Sequence, residues 1–121
     1  MTTARQTTGQ EAEALAAAWL TRQGCEVLGR NVRTPVGEID IVARDGKTLC
    51  FVEVRARRSE RFGTPEESIT RAKQQHMLRA AQWYLQSHQW REEVPVRLDL
   101  IAITWRGTEP QINHLKNVCD G

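Results

Sequence analysis

The stretch Gly37 to Arg57, GEIDIVARDGKTLCFVEVRAR, decides the fold expected for this chain. It holds two runs rich in β-branched and apolar residues, Ile39 to Ala43 and Leu49 to Val54. Asp45-Gly46 lies between them and is a strong signal for a hairpin turn. We therefore predict two antiparallel strands. Side chains alternate along a strand, so one face of the second strand is apolar throughout, and the other changes from apolar to charged.

The length of the hairpin loop determines whether Asp40 and Glu53 meet. A loop of two residues would place Asp40 opposite Phe51, with Glu53 on the same face, and a loop of four would place Asp40 directly opposite Glu53. A loop of three would put the two carboxylates on opposite faces. Two carboxylates about 5 Å apart repel by about 3 kcal/mol at an effective dielectric of about 20, so a close pair needs a cation. That cation could be the guanidinium of Arg55 or a bound Mg²⁺. Mg²⁺ fits a pair of carboxylate ligands better than zinc does.

Length and composition set the class of protein. A chain of 121 residues suits one domain with its own core. Its three cysteines are odd in number and lack C-x-x-C spacing, so we expect free thiols in a reducing cytosol. No apolar run approaches membrane-spanning length, and the first residues lack the apolar segment of a signal peptide. A soluble, cytoplasmic protein with no membrane partner is expected.

The net charge is only +2, but arginines cluster around the hairpin. Those before and after it are Arg30, Arg33, Arg55, Arg57, Arg58 and Arg61. Such clustering is typical of a surface that contacts phosphate, and a solvated arginine face has the same pattern. Charge alone therefore leaves a nucleic-acid partner and a plain solvated surface equally open.

The first predicted helix places a glutamate beside an apolar stripe. Thr8-Gly9-Gln10-Glu11 has the pattern of a capping box, and the helix runs from there to about Gln23. Gly24 is suited to end it in a left-handed conformation. Glu13 lies at the edge of the stripe. It either points into a cleft beside the sheet or stays exposed in the first turn, where it interacts with the helix dipole.

A second helix is predicted to begin at Thr64 or at Thr70 and to run to about Ser87. Lys73 interrupts its apolar stripe. In one interpretation the stem of Lys73 packs while its ammonium reaches water, and in the other that ammonium lies at the edge of the acidic site.

Further strands are predicted over 26–30, 96–105 and 111–115. The whole chain then reads helix, three strands, helix, two strands, which indicates an α/β protein with a mixed sheet and helices on its faces. Residues 9–117 would form a single domain, with flexible ends at 1–8 and 118–121. Asp99 is expected to be structural, paired with Arg97 or another arginine. The three histidines show no metal-ligand spacing.

The hairpin carries a resemblance to known nucleases. An acidic residue on one strand followed by Glu-x-basic on the next resembles the PD-(D/E)xK motif of restriction-endonuclease-like nucleases. More closely, Gly37-Glu38-Ile39-Asp40 followed by Phe51-Val52-Glu53-Val54-Arg55 resembles the YraN-like family of small bacterial proteins placed in that superfamily. The similarity extends from about Gly9 to about Asn117. It implies a restriction-endonuclease-like fold in the order α-β-β-β-α-β-β.

The resemblance also implies roles for the site residues. Asp40 and Glu53 would hold Mg²⁺ or Mn²⁺, and Glu13 matches a helical glutamate that serves related nucleases as an auxiliary ligand. The position of the family's catalytic lysine is Arg55 in this chain. Arginine stays protonated, so it can act only as a fixed cation and donor. Lys73 matches a lysine typical of the family and could supply the missing function.

Asn31 and Arg33 match a recurring Asn-x-Arg of the family. Their position suits phosphate contact, although an asparagine at a turn is more often turn chemistry. Together with Arg30, Arg57, Arg58 and Arg61 they make up the predicted nucleic-acid-binding set.

Three functions remain open at this stage. The first is a metal-dependent endonuclease that hydrolyses DNA, with branched or recombination-type DNA as a substrate, as in junction-resolving enzymes. The second is a nucleic-acid-binding protein of the same fold that has lost strong catalysis, for which Arg55 is the chief argument. The third is a protein-interaction module. A homodimer would suit a symmetric junction, because it offers two active sites.

Overall fold

The described residues form one five-stranded mixed sheet with a helix on each face. The computed structural model describes residues 4–58, 64–66, 69–88 and 94–118. The elements are α1 (Ala4–Arg22), β1 (Glu26–Thr34), β2 (Gly37–Asp45), β3 (Thr48–Arg57), α2 (Arg71–Ser87), β4 (Val96–Arg106) and β5 (Glu109–Leu115). The strand order is β1-β2-β3-β4-β5, with β3 and β4 parallel and the other neighbours antiparallel. The predicted α/β class and element order are confirmed, and they are consistent with a restriction-endonuclease-like fold.

The loop of the central hairpin has two residues, but it lies one residue later than the turn signal suggested. Asp45 pairs with Thr48, so the loop is Gly46-Lys47. Gly46 has a φ of 61° and Lys47 is not among the residues with positive φ. A type II′ turn has this combination, with glycine at its first central position. The prediction took Asp45-Gly46 as the loop, which would be a type I′ turn with glycine second.

This loop position changes the predicted register. The ladder between β2 and β3 ends at the pair of Ile41 with Val52. One position further, the same register aligns Asp40 with Glu53. The expectation that a two-residue loop sets Asp40 opposite Phe51 is therefore wrong, and extending the observed register gives the alignment expected for a longer loop.

The first hairpin is longer than predicted. β1 continues to Thr34, which pairs with Gly37 across a loop formed by Pro35 and Val36. Asn31 lies inside β1 with a φ of 53°, so it is part of the strand and not of the turn. The prediction ended β1 too early, because Asn31 reads locally as a turn residue.

The start of α1 was also predicted wrongly, whereas its end was predicted correctly. α1 begins at Ala4, so Thr8 lies within the helix. A capping-box pattern favours a helix start, but Thr and Gly cost only about 0.5 to 1 kcal/mol in a helix interior, and the helix can continue through them. At the other end, Gly24 has a φ of 89°, and the N–H of Cys25 donates to the carbonyl of Leu20 over 2.9 Å. These features form a Schellman cap.

α2 begins at the second of the two predicted starts. Thr70 is its N-cap, and its side chain accepts a hydrogen bond from the backbone N–H of Lys73 over 3.2 Å. Ala80, Ala81 and Tyr84 are buried against the sheet, as the stripe predicted. Lys73 therefore lies in the first turn of α2, on the side that faces the sheet margin.

The core has two layers, one on each side of the sheet. α1 buries Ala12, Ala16 and Leu20 against one face, and the α2 stripe packs on the other. Alternate β2 side chains stop pointing to the same side of the sheet near the end of the ladder. Ile41 belongs to the α1 layer, whereas Ile39, two residues earlier, belongs to the α2 layer. Asp40 lies between them. None of the helices in the described segments is long and apolar enough to cross a bilayer.

A buried polar network joins α1 to the last two strands. Asp99 is fully buried and accepts from Arg97 Nε at 2.9 Å, which confirms the predicted pairing. It also contacts His114 Nε2 at 2.8 Å, and Trp19 Nε1 donates to His114 Nδ1 over 3.2 Å. An indole can only donate, so Nδ1 of His114 must be the acceptor and Nε2 must carry the proton. Asp99 is therefore structural, as predicted, although the part played by His114 was not.

Candidate functional site

The candidate site lies where β2 and β3 separate. Beyond the last ladder pair, the backbone N–H of Val54 donates to Asp40 Oδ2 over 2.8 Å. The side chain of Asp40 thus takes the place of a ladder carbonyl. On its other edge β3 stays paired with β4 through Arg57, so the strand itself does not fray here. The result is a half-buried carboxylate fixed at an open margin of the sheet.

Three carboxylates converge at this margin. Oxygen atoms of Glu13 on α1 and of Glu38 and Asp40 on β2 all lie within 4.8 Å of one another. We call this set the three-carboxylate cluster. Glu13 and Asp40 are half-buried and Glu38 is exposed. The interpretation of Glu13 as pointing toward the sheet, rather than remaining a solvated first-turn residue, agrees with this position.

Glu38 was missed by the sequence analysis. The available signal was its position two residues before Asp40 on the same strand, since side chains at i and i+2 share a face of a strand. The Glu-x-basic pattern on β3 favoured Glu53 as the second metal ligand instead.

Glu53 lies beside the cluster and is held by an arginine. Its Oε1 is 2.8 Å from Arg55 Nη2, and the two side chains are 17% and 24% exposed. Glu53 is not a member of the three-carboxylate cluster, although its charge acts on Asp40. The charge of Glu53 raises the pKa of Asp40, so the two carboxylates interact electrostatically, and their sharing of an ion stays a prediction.

The pKa values of the acidic groups record this crowding. Burial raises the pKa of Asp40 to about 7, and repulsion from Glu53, Glu13 and Glu38 adds to the effect against the hydrogen bond from Val54. Burial also raises the pKa of Glu53. The positive charges of Arg55 and Lys73 act to lower that pKa, and so does hydrogen bonding to Asp40. A cation at this margin would relieve the repulsion.

Lys73 has the opposite shift. Burial lowers its pKa, and the neighbouring Arg55 lowers it further, while Glu53 acts to raise it. A lysine can have its pKa lowered and give up its proton, whereas arginine stays protonated. Of the two interpretations of Lys73, the structure favours the one in which its ammonium lies at the edge of the acidic site.

Two cavities open on opposite sides of the margin. The smaller cavity, of about 200 Å³, lies between the central hairpin and α2 and is lined by Glu38, Glu53 and Lys73 among others. The larger cavity, of about 340 Å³, lies on the α1 side and is lined by Glu13 and Asp40 among others. Arg55 lines both cavities, and Arg57 lines the larger one.

Arg55 offers an unused hydrogen-bond donor at this boundary. Its Nη2 is taken by Glu53, but its Nε is buried and has no hydrogen-bond partner among the described residues. A buried donor without an acceptor costs about 1 to 3 kcal/mol, so such a group is often completed by a ligand or water.

The described members of the predicted nucleic-acid-binding set lie on β1, at the end of β3 and directly after it. Arg30, Asn31 and Arg33 are exposed on β1, and Arg33 lies opposite Glu38 in the register. Arg58 is paired with Glu11 at 2.8 Å, and its guanidinium lies 4.5 Å from the centre of the Trp105 ring. Of the remaining members, Arg57 is half-buried at the larger cavity, and Arg61 lies outside the described residues.

Comparison with known proteins places the chain in a family. A family model described as "Uncharacterised protein family UPF0102" matches residues 12–103. A UPF0102 protein of Syntrophotalea carbinolica is 47% identical over 120 residues, covering 99% of this chain and 97% of the relative. One from Anaeromyxobacter dehalogenans is 44% identical over 97% of this chain and 87% of its own length, and one from Dehalococcoides mccartyi is 40% identical over 93% of each. The chain therefore belongs to UPF0102, the YraN-like family.

Proposed function

We propose that this protein is a metal-dependent endonuclease that hydrolyses phosphodiester bonds in DNA, including branched or recombination-type DNA. The observation that carries the proposal is the convergence of Glu13, Glu38 and Asp40 within 4.8 Å at an open sheet margin. Two further groups of suitable chemistry, Arg55 and Lys73, line the adjoining cavity. The resemblance of the hairpin to the PD-(D/E)xK pattern gives this arrangement its chemical interpretation.

The donor set fits a hard divalent cation such as Mg²⁺ or Mn²⁺. Mg²⁺ binds oxygen at about 2.1 Å, so ligand atoms on opposite sides of one ion are about 4.2 Å apart. Carboxylate oxygens within 4.8 Å of one another are already near this spread. Asp40, Glu13 and Glu38 would hold the ion, with Glu53 adding negative charge beside it. The bound ion would supply activation of water and compensation of charge on the phosphate.

The other residues would position the phosphate and handle the proton. Arg55 stays charged, and its unpartnered Nε could donate to a phosphate oxygen at the boundary between the cavities. Lys73 Nζ, which lines the smaller cavity with Glu53, would orient the attacking water and take up its proton, and burial lowers its pKa in the direction that this role needs. In this proposal Lys73 carries the role that the motif lysine has in related nucleases.

A second candidate function has one observation in its favour. Arg55 occupies the position of the motif lysine and pairs with Glu53 at 2.8 Å, so one of the two motif acids is already neutralised by an arginine. A protein that binds nucleic acid with this fold and cuts it weakly or not at all would have the same arrangement.

Binding and cleavage measured separately distinguish the two functions. Binding to branched, duplex and single-stranded DNA is measured in Ca²⁺ over a range of salt, and cleavage is then started with Mg²⁺ or Mn²⁺. Asp40→Asn removes the charge of Asp40 and keeps an acceptor for the Val54 N–H. Glu53→Gln likewise removes the charge of the second acid and keeps the size of its side chain. We expect each to reduce cleavage by about 100-fold or more, because Asp40 would hold the ion and Glu53 would add negative charge beside it.

The exposed β5 residue Glu109 provides a matched control. Glu109→Gln changes the net charge by the same amount and should cut like the wild type. Salt-sensitive binding without cleavage by the wild type in either metal would favour the second function. Absence of binding at low salt would contradict both.

A further inference from the structure

The smaller cavity differs in character from the rest of the site. Its wall on the sheet side includes Ile39 and Phe51, and its wall on the α2 side includes Met77 and Ala80. Charged groups also line this cavity, among them Lys73, Glu53 and Glu38, and Glu38 belongs to the three-carboxylate cluster. An apolar slot that opens directly beside a group of carboxylates is not needed to bind a metal or a phosphate. The slot therefore suits an occupant other than a metal or a phosphate.

We propose that the smaller cavity takes a single unpaired nucleobase, so that the protein acts on DNA at a nucleotide that has left the base stack. This inference rests on the proposed function and deepens it by naming the substrate class. The phosphate next to that nucleotide would lie at the three-carboxylate cluster, and its base would turn into the slot between the central hairpin and α2.

The size of the cavity limits the occupant to one ring system. Sites for drug-sized ligands have volumes of about 300 to 1,000 Å³. The smaller cavity, at about 200 Å³, falls below that range. A single base fits this volume, whereas a base pair or two stacked bases do not. Continuous duplex DNA, in which each base is paired, is therefore excluded from the slot.

The chemistry of the walls matches the two kinds of surface that a base presents. Apolar groups such as Ile39, Phe51 and Met77 would cover the ring faces, which lose their neighbours when a base leaves the stack. Among the polar lining groups, Glu53 can accept hydrogen bonds from base amino groups.

The neighbouring cavity explains where the backbone would run. Arg55 lines both cavities and carries the buried unpartnered Nε, and Arg57 lines the larger one. Cations at this boundary complement the charge of phosphates on either side of the turned-out nucleotide. Arg55 thus joins the base slot to the larger cavity, which Glu13 and Asp40 line.

Three duplexes of one sequence test the inference. The first is fully paired, the second carries one extra unpaired nucleotide, and the third carries an abasic site in place of that nucleotide. Affinities are measured in Ca²⁺, and cleavage is measured in parallel in Mn²⁺. The abasic duplex keeps the kink and the flexible backbone of the second but has no base to insert.

We expect the duplex with the unpaired base to bind about tenfold or more tightly than the paired duplex, and the abasic duplex to lose this advantage. Met77→Phe, which narrows the slot from a half-buried position, should remove the preference for the unpaired base and leave the affinity for paired duplex unchanged. The abasic comparison needs no variant, so the test stands even if Met77→Phe does not fold.

The outcomes separate this inference from the proposed function. Equal affinity for the abasic and base-containing duplexes overturns the inference, and cleavage of either one leaves the endonuclease proposal intact. A preference for the unpaired base without cleavage supports the inference and contradicts the endonuclease. Absence of binding to all three duplexes overturns both.

Discussion

The backbone N–H of Val54 donates to the carboxylate of Asp40 over 2.8 Å, at the point where the ladder between β2 and β3 ends. This bond fixes the one member of the three-carboxylate cluster that lies between the two core layers. It also holds Asp40 in an environment of burial and like charge, where its pKa rises to about 7. The geometry of the site and its electrostatic cost thus arise from the same residue.

Asp40→Asn should stabilise the protein without metal at about pH 8. The folded-state pKa of Asp40, about 7, lies above the ordinary value of 3.8 expected for the unfolded chain. Between these values the folded state holds a proton that the unfolded state releases, so the free energy of unfolding falls as pH rises through this window. Removing the charge should recover about 1 to 3 kcal/mol at pH 8, measured by urea unfolding.

The stability that Asp40→Asn gains over the wild type must depend on pH. As the pH is lowered from about 7 toward 4, Asp40 becomes protonated in the folded wild type and the gap should narrow steadily. Asp40→Ala is the matched control, because it also removes the charge but leaves the Val54 N–H without its acceptor. It should be less stable than Asp40→Asn by about 1 kcal/mol or more. A gap between wild type and Asp40→Asn that stays constant over this range would refute the electrostatic explanation.

Mn²⁺ should raise the thermal unfolding temperature of the wild type, because a ligand that binds only the folded state stabilises it. Glu38→Gln removes one oxygen charge from the three-carboxylate cluster and should weaken Mn²⁺ binding about tenfold or more, since each carboxylate is a major part of the site. Glu109→Gln should bind Mn²⁺ as the wild type does. Titration calorimetry provides the affinities. If Glu38→Gln binds Mn²⁺ as tightly as the wild type does, the ligands are Asp40, Glu53 and Glu13, as the sequence predicted.

Arg55→Lys should increase the rate of DNA cleavage. Lysine keeps the positive charge beside Glu53 but can lose its proton, so it restores the group that the motif normally provides. An increase of about tenfold or more in the single-turnover rate is expected, within the range of general-base contributions. A rate equal to or below that of the wild type would show that Arg55 does not limit catalysis.

Lys73→Arg should flatten the rise in cleavage rate with pH. The lowered pKa of Lys73 means that its neutral form becomes available as pH rises toward that pKa, and the rate should rise with it. Arginine keeps the charge and remains protonated throughout, so the profile of the variant should be flatter and its rate lower by about 10- to 100-fold. The measurement is the cleavage rate at a series of pH values with DNA binding checked at each. An unchanged profile would remove Lys73 from the mechanism.

His114→Ala should destabilise the fold by about 1 to 3 kcal/mol, because it leaves fully buried Asp99 without one of its partners and Trp19 Nε1 without its acceptor. His76→Ala, at an exposed position, should cost no more than about 0.5 kcal/mol. Denaturant unfolding of both variants provides the comparison. Equal stability of the two would mean that Arg97 and Asn117 satisfy Asp99 without His114.

The local chemistry of the sequence determined the elements of this protein. Runs rich in β-branched and apolar residues specified β2 and β3, Gly24 ended α1, and Thr70 capped α2. These features depend on residues a few positions apart, so they can be predicted without knowledge of the fold. The local signals failed where they were ambiguous. Asp45-Gly46 also permits a turn with glycine first, and Thr8 suits a helix start but does not impose one.

Tertiary structure decided which side chains meet. Glu13 reaches Asp40 only because α1 packs over the hairpin, and Glu38 joins them because β2 changes the face it presents where its ladder with β3 ends. Arg58 likewise finds Glu11, which is 47 residues away. Such contacts depend on the loop position, on strand register and on helix packing summed over the whole chain. A single-residue change in the hairpin loop would alter them while leaving the local patterns unchanged.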